Sequence, residues 1–127
     1  MTEAELHLQR FDEQCVVAVR GEIDLENAGR VRERIARAVP RTASRIVLDL
    51  SDVTHLDSAG VRLLFDLAAR FDERRHELAI VAPSASMVRE VVDVVRLERV
   101  AAVVGALDDA LRLPARRSQR GPVAPWP

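Results

Sequence analysis

The segment Arg45-Ile46-Val47-Leu48-Asp49-Leu50 constrains the fold more than any other. Its apolar residues come with little alternation, the pattern of a strand covered on both faces, as in the sheet of a mixed α/β domain. Cover of that kind calls for helices, and the flanking segments carry helical spacing. Upstream, Ala28, Val31, Ile35 and Ala38 recur at intervals of three and four, and Pro40 closes the helix. Asp24 is expected to cap it, because its carboxylate can accept the orphan N–H groups of a first turn. Downstream, Val61, Leu64, Phe65, Ala68 and Phe71 form the core stripe of a helix over 58–72. Arg62, Asp66 and Arg70 sit four apart on its other side and read as a solvated ion-pair ladder.

The remaining elements follow from shorter signals. Leu6, Leu8 and Phe11 predict a short first strand, and the β-branched run at 15–19 predicts a second that ends at Gly21. Residues 51–57 read as a loop. A strand over 78–81 is stopped by Pro83, and Ser84 or Ser86 starts a helix with Met87, Val91, Val92 and Val95 as its stripe. A last short strand over 100–104 and a helix over 108–113 complete the order β-β-α-β-α-β-α-β-α. Strands alternating with helices predict an α/β sandwich, a mixed β-sheet with about four helices.

At 127 residues and 48% hydrophobic, the chain has the size and apolar content of one domain with a real core. The expected boundary separates a folded domain, 1–113, from a disordered Pro/Arg-rich tail, 114–127. The tail holds four of the six prolines, Arg116, Arg117, Arg120 and Trp126, and too little aliphatic bulk to fold. Residues 1–113 carry 16 Arg against 20 acids, a balance of −4, while the tail carries +3. An acidic folded part with 3% aromatics argues against nucleic acid, and the net charge of −1 against a charged membrane surface. All 19 basic residues are Arg. Without Lys, neither a Walker A phosphate loop nor Schiff-base catalysis is available.

Cys15 is the only cysteine, so no intrachain disulfide is possible, and its apolar surroundings place it in the core. No apolar stretch approaches the roughly 20 residues needed to span a bilayer. The first ten residues lack the basic start and apolar middle of a signal peptide. A cytoplasmic location is expected.

The chemistry concentrates in Asp49-Leu50-Ser51-Asp52-Val53-Thr54-His55-Leu56-Asp57-Ser58-Ala59-Gly60. A buried strand delivers a loop that ends in Asp-Ser at the first turn of an amphipathic helix. Ser58 reads as its N-cap. The first-turn N–H groups and the helix dipole make that spot favourable for an anion, so a phosphate on Ser58 would be held without rearrangement. It would add about −1.5 to −2 charges to a nearly neutral surface. Ala59 and Gly60 have almost no side chain, which would let a partner approach the backbone closely. Read without any further context, the same residues describe an ordinary helix start.

Three separated segments resemble the STAS family, typified by bacterial anti-sigma-factor antagonists. Val17-Ala18-Val19-Arg20-Gly21-Glu22-Ile23-Asp24 is similar to the family's strand ending in Gly-Glu-(Ile/Leu)-Asp. Ile46-Val47-Leu48-Asp49-Leu50-Ser51-Asp52-Val53 with Leu56-Asp57-Ser58-Ala59-Gly60 is similar to its strand and phosphorylation loop. Leu97, Val100 and Leu107-Asp108-Asp109-Ala110-Leu111 are similar to its closing strand and last helix. Two positions depart from the pattern: Ala59 stands where the family often has a second serine, and Arg96 where it often has Gly.

The resemblance implies a function. Such an antagonist binds an anti-sigma factor that is also a serine kinase, which frees a sigma factor. The kinase then phosphorylates the antagonist, which is released, and a phosphatase resets it. Carried onto this chain, Ser58 is the phosphoacceptor and Asp57, Asp24, Ala59 and Gly60 form its environment. Ser58, Gly60, Arg62 and Leu63 are the expected partner contacts. The protein is then not an enzyme, needs no cofactor or metal, and acts as a monomer in the cytoplasm. The alternative within the same family is a subunit of a lipid-transporting ATPase, or of a sensing assembly, without phospho-switching.

Other chemistries fit less well. His55, Asp57 and Ser58 crowd together, but catalytic triads meet in space rather than within four residues, and no Gly-x-Ser-x-Gly elbow is present. His7, His55 and His76 match no metal-ligand spacing.

Overall fold

The computed structural model describes residues 3–115. The chain runs β1 (Ala4–Phe11), β2 (Gln14–Ile23), α1 (Ala28–Ala38), β3 (Arg45–Leu56), α2 (Ser58–Glu73), β4 (Glu77–Val81), α3 (Met87–Val94), a 3-10 turn (Leu97–Arg99), β5 (Ala102–Val104) and α4 (Leu107–Leu111). The strands form one sheet in chain order, β1-β2-β3-β4-β5. β1 and β2 are antiparallel, joined by a tight turn in which Asp12 takes a left-handed φ of 56°. β3, β4 and β5 each lie parallel to the strand before them. The mixed sheet with four helices is the predicted architecture.

Three crossovers of the usual right hand, all stepping the same way, put their helices on one face of a sheet. The core agrees. Alternate residues of each strand sort to opposite faces. Val17, Ile46, Leu48 and Ile80 pack with Val31 and Ile35 of α1, Leu64 and Phe71 of α2, and Val88 and Val92 of α3. Val16, Val47, Ala79 and Val81 face the other way and pack with Ala110 and Leu107 of α4. The unbroken apolar run in β3 is therefore a strand covered on both sides. Cys15 lies in the first of these clusters.

Several boundaries and faces differ from expectation. Residues 51–57 are not a loop: β3 runs on to Leu56, because Asp52, Val53, His55 and Leu56 pair with β2. β2 likewise passes Gly21 and ends at Ile23. Gly21 adopts φ 106° beside a break in the β2–β3 register, and a Cβ there would run into Glu3 O. Ala38 is exposed and Ala36 buried in its place. In α3 the stripe is Val88 and Val92, with Met87 exposed, while Ser86 is the N-cap and accepts from Arg89 N at 3.1 Å. β5 begins at Ala102 rather than at 100, and the last helix spans Leu107–Leu111.

The seat of α2 is also turned from the predicted stripe. Leu63, Leu64, Leu67, Ala68 and Phe71 are buried, while Val61 and Phe65 are only partly so. A fully buried leucine contributes about 2 kcal/mol and an exposed ion pair under about 1, so the leucines decide the rotation. The expected ladder within α2 is accordingly replaced by pairing between helices. Arg32 of α1 meets Asp66 at 3.3 Å, and Arg70 meets Glu33 of α1 at 3.7 Å.

Arg45 fastens the last described residues. Only 6% exposed, it donates to Ala110 O, Leu113 O and Pro114 O and pairs with Glu77 at 2.8 Å. Residues 116–127 of the predicted tail, with their three arginines and Trp126, lie outside the described residues.

Candidate functional site

The site is built by the parallel pairing of β2 and β3. Their last partners in register are Ile23 and Leu56, so both strands release the chain at the same end of the sheet. Asp24 and Asp57 are therefore neighbours, and Asp57 N donates to Ile23 O at 3.4 Å. Outside the carboxyl ends of parallel strands is where open α/β sheets commonly offer a binding crevice.

Asp57, not Ser58, is the N-cap of α2. Its backbone is extended, at φ −98° and ψ −169°, and its Oδ1 accepts from Ala59 N at 2.9 Å and Gly60 N at 3.1 Å. Ser58 is the first helical residue, and its side chain is exposed. Two consequences follow. The serine hydroxyl is free of capping duty, and the two N–H groups that an anion would have used are already taken. The expectation that the helix start alone would hold a phosphate is corrected on that ground.

Asp24 is half-buried and does not cap α1. Its Oδ1 accepts from Glu26 N at 3.0 Å and Asn27 N at 3.2 Å, closing the turn before the helix. Asn27 occupies the N-cap position and makes no side-chain cap bond to α1. Instead its amide faces back, with Nδ2 donating to Glu22 O at 2.8 Å and Oδ1 accepting from Asp24 N at 3.0 Å. Only 2% exposed, it is the buried polar pin of this turn. The second oxygen of Asp57 reaches the same turn, where Oδ2 accepts from Leu25 N at 3.2 Å.

Between the first turns of α1 and α2 lies an open groove of about 530 Å³, lined by residues that include Leu25, Arg32, Ser58, Ala59, Arg62 and Leu63. Leu25 stands 81% exposed on its rim. Of the residues expected to touch a partner, Ser58 and Arg62 are exposed. Gly60 is buried, and a Cβ there would run into Leu56 Cδ1 and crowd Ile23 Cγ2, so the glycine serves close packing of α2 onto the strand ends rather than close approach of a partner. Leu63, 2% exposed, belongs to the core and contributes only to the floor of the groove. Leu25, Asn27 and Arg32 were not anticipated. The Asp24-to-Asn27 spacing of an Asx turn is the one local signal that pointed to them.

A hydrolytic triad is not assembled. The carboxylate of Asp57 is engaged by backbone N–H groups, and His55 lies on β3 opposite Glu22, without a hydrogen bond to Asp57 or Ser58. Among the described residues, no group of three His, Cys, Asp or Glu is placed to hold a metal ion. No helix among them is long and apolar enough to cross a membrane.

The family model described as STAS domain matches residues 5–110. The chain belongs to the STAS domain family. A candidate anti-sigma factor antagonist of Bordetella bronchiseptica, BtrV, is 26% identical over 90 residues, which cover 71% of this chain and 77% of BtrV. The crystal structure of an anti-sigma factor antagonist from Mycobacterium paratuberculosis superposes with a TM-score of 0.76 at 27% identity, covering 86% of this chain and 92% of that one. The antagonist SpoIIAA in its unphosphorylated form shares the fold, with a TM-score of 0.66 at 20% identity over 94% of this chain and 100% of SpoIIAA. Within this STAS domain, Asp57 and Ser58 stand at the sheet's carboxyl end and the groove opens beside them.

Proposed function

We propose that this STAS domain is an anti-sigma factor antagonist whose partner affinity is switched at Ser58. The observation that carries the reading is the division of labour at the head of α2: Asp57 caps the helix, which leaves an exposed Ser58 hydroxyl at the mouth of a groove. Two relatives above 25% identity carry the antagonist description and support that part of the reading.

In this account the bare protein docks on an anti-sigma factor that is also a serine kinase. The γ-phosphoryl group of ATP passes to Ser58 Oγ. A P–O bond forms there, the bond to the β-phosphate oxygen breaks, ADP leaves and the hydroxyl proton goes to water. Phosphate at that position adds about −1.5 to −2 charges to the docking face, and the complex separates. A phosphatase restores the hydroxyl. Asp24 and Asp57 act by holding backbone, not by exchanging protons. The chain itself is a substrate and a ligand rather than an enzyme, and works as a monomer in the cytoplasm without a cofactor.

The test is phosphosite mapping of the protein recovered from its own cells. The reading predicts a phosphorylated fraction modified at Ser58 and none in Ser58→Ala. A protein never modified at Ser58 under any growth condition would contradict it.

A further inference from the structure

We propose that Arg62 is the internal counter-ion of a phosphate on Ser58, an inference that rests on the phospho-switch reading. The N–H groups of Ala59 and Gly60 are occupied by Asp57 Oδ1, so a phosphate on Ser58 has to find its charge partner among side chains. The nearest acid, Asp57, can only repel it. Two guanidinium groups line the groove with Ser58. Arg32, from α1, is already held by Glu33 at 3.5 Å and Asp66 at 3.3 Å. Arg62 is exposed and makes no hydrogen bond or ion pair with any described residue.

Arg62 follows Ser58 by four residues, so the two share one helical face a turn apart. Long side chains on a helix lean toward its N-terminus, which carries the Arg62 guanidinium over the turn that holds Ser58. A planar guanidinium matches phosphate with two parallel hydrogen bonds. No other unpaired cation lines this groove among the described residues.

The consequence is a switch that works twice. With Ser58 bare, Arg62 is displayed on the docking face and fits an acidic patch on the partner. With Ser58 phosphorylated, the same guanidinium turns to the phosphate. Modification then removes a cation from the partner as well as adding an anion.

The experiment uses the full chain with phosphoserine genetically encoded at position 58, so that no kinase is needed. The second ionisation of the phosphate is followed by 31P NMR at low salt in the native sequence, Arg62→Gln and Arg62→Lys. Arg62→Gln is expected to raise the apparent pKa by about half a unit, with Arg62→Lys in between and the difference shrinking as salt is added. Thermal melts of the three unphosphorylated proteins should coincide, since Arg62 is exposed and makes no hydrogen bond or ion pair with a described residue. Superimposable titrations of the native and Arg62→Gln proteins would overturn the pairing. That outcome leaves the phospho-switch standing, whereas a Ser58 never modified in cells would remove the switch without altering the titration.

Discussion

The carboxylate of Asp57 ties two loops together: Oδ1 caps α2 through Ala59 N and Gly60 N, and Oδ2 accepts from Leu25 N at 3.2 Å. Leu25, the most exposed large apolar residue of the described chain, is thereby fixed beside Ser58. One side chain positions both the acceptor serine and the rim of its groove.

Replacing Asp57 tests that linkage. Asp57→Ala is expected to lose about 1–2 kcal/mol in urea unfolding, the cost of an N-cap with its second tie. Asp57→Asn keeps an acceptor oxygen and should lose less. In a phosphorylation assay with the cognate kinase, Asp57→Ala should slow modification of Ser58 more than it weakens binding. An alanine variant with unchanged stability and unchanged phosphorylation would remove Asp57 from the site.

Much of this arrangement was legible in the sequence, and the failures share a cause. The doubly covered β3, the strand–helix order and the Asp57-Ser58 junction were all visible in local patterns. The face of α2 differs from expectation because Val61 and Phe65 fit a helical stripe as well as Leu63 and Leu67 do. Only the rotation of α2 about its own axis separates the two sets. The 51–57 segment reads as a polar loop because its pairing partner, the end of β2, lies 32–33 residues upstream. The sequence points to Ser58 as the cap because Asp and Ser are equally good caps, and it does not reveal that Asp57 is also tied to Leu25 N across 32 residues.

Two glycines separate packing from backbone freedom. Gly60→Ala drives a methyl group into Leu56 and Ile23 and is expected to cost about 2 kcal/mol. Gly29→Ala meets nothing within 4 Å in α1 and should stabilise by about 0.5 kcal/mol. Urea midpoints of the two variants should move in opposite directions.

Arg45 holds three carbonyls of the C-terminal segment and Glu77. Arg45→Met takes the donor from the buried Ala110 O and from the part-buried Leu113 O, and is expected to cost about 2 kcal/mol. Limited proteolysis should then open cleavage within 107–113, where the native protein resists.

Burial pushes the Cys15 thiol above its ordinary pKa, with the Arg10 charge opposing only in part. The folded state therefore keeps the proton at a pH where the unfolded chain has lost it. This contribution to stability is full below the ordinary thiol pKa, about 8.5, and is lost as pH rises beyond it. Cys15→Ala should flatten that alkaline decline in a series of urea unfolding curves, and the native thiol should resist alkylation at neutral pH.

The most direct test of the central claim is a pull-down from lysate of the producing cells, with Ser58→Ala and Ser58→Glu side by side and the bound proteins read by mass spectrometry. The account predicts that only the alanine form retains a small serine kinase of the histidine-kinase-like ATPase type. Retention of the same partner by both forms, or of a transporter ATPase in place of any kinase, would contradict it.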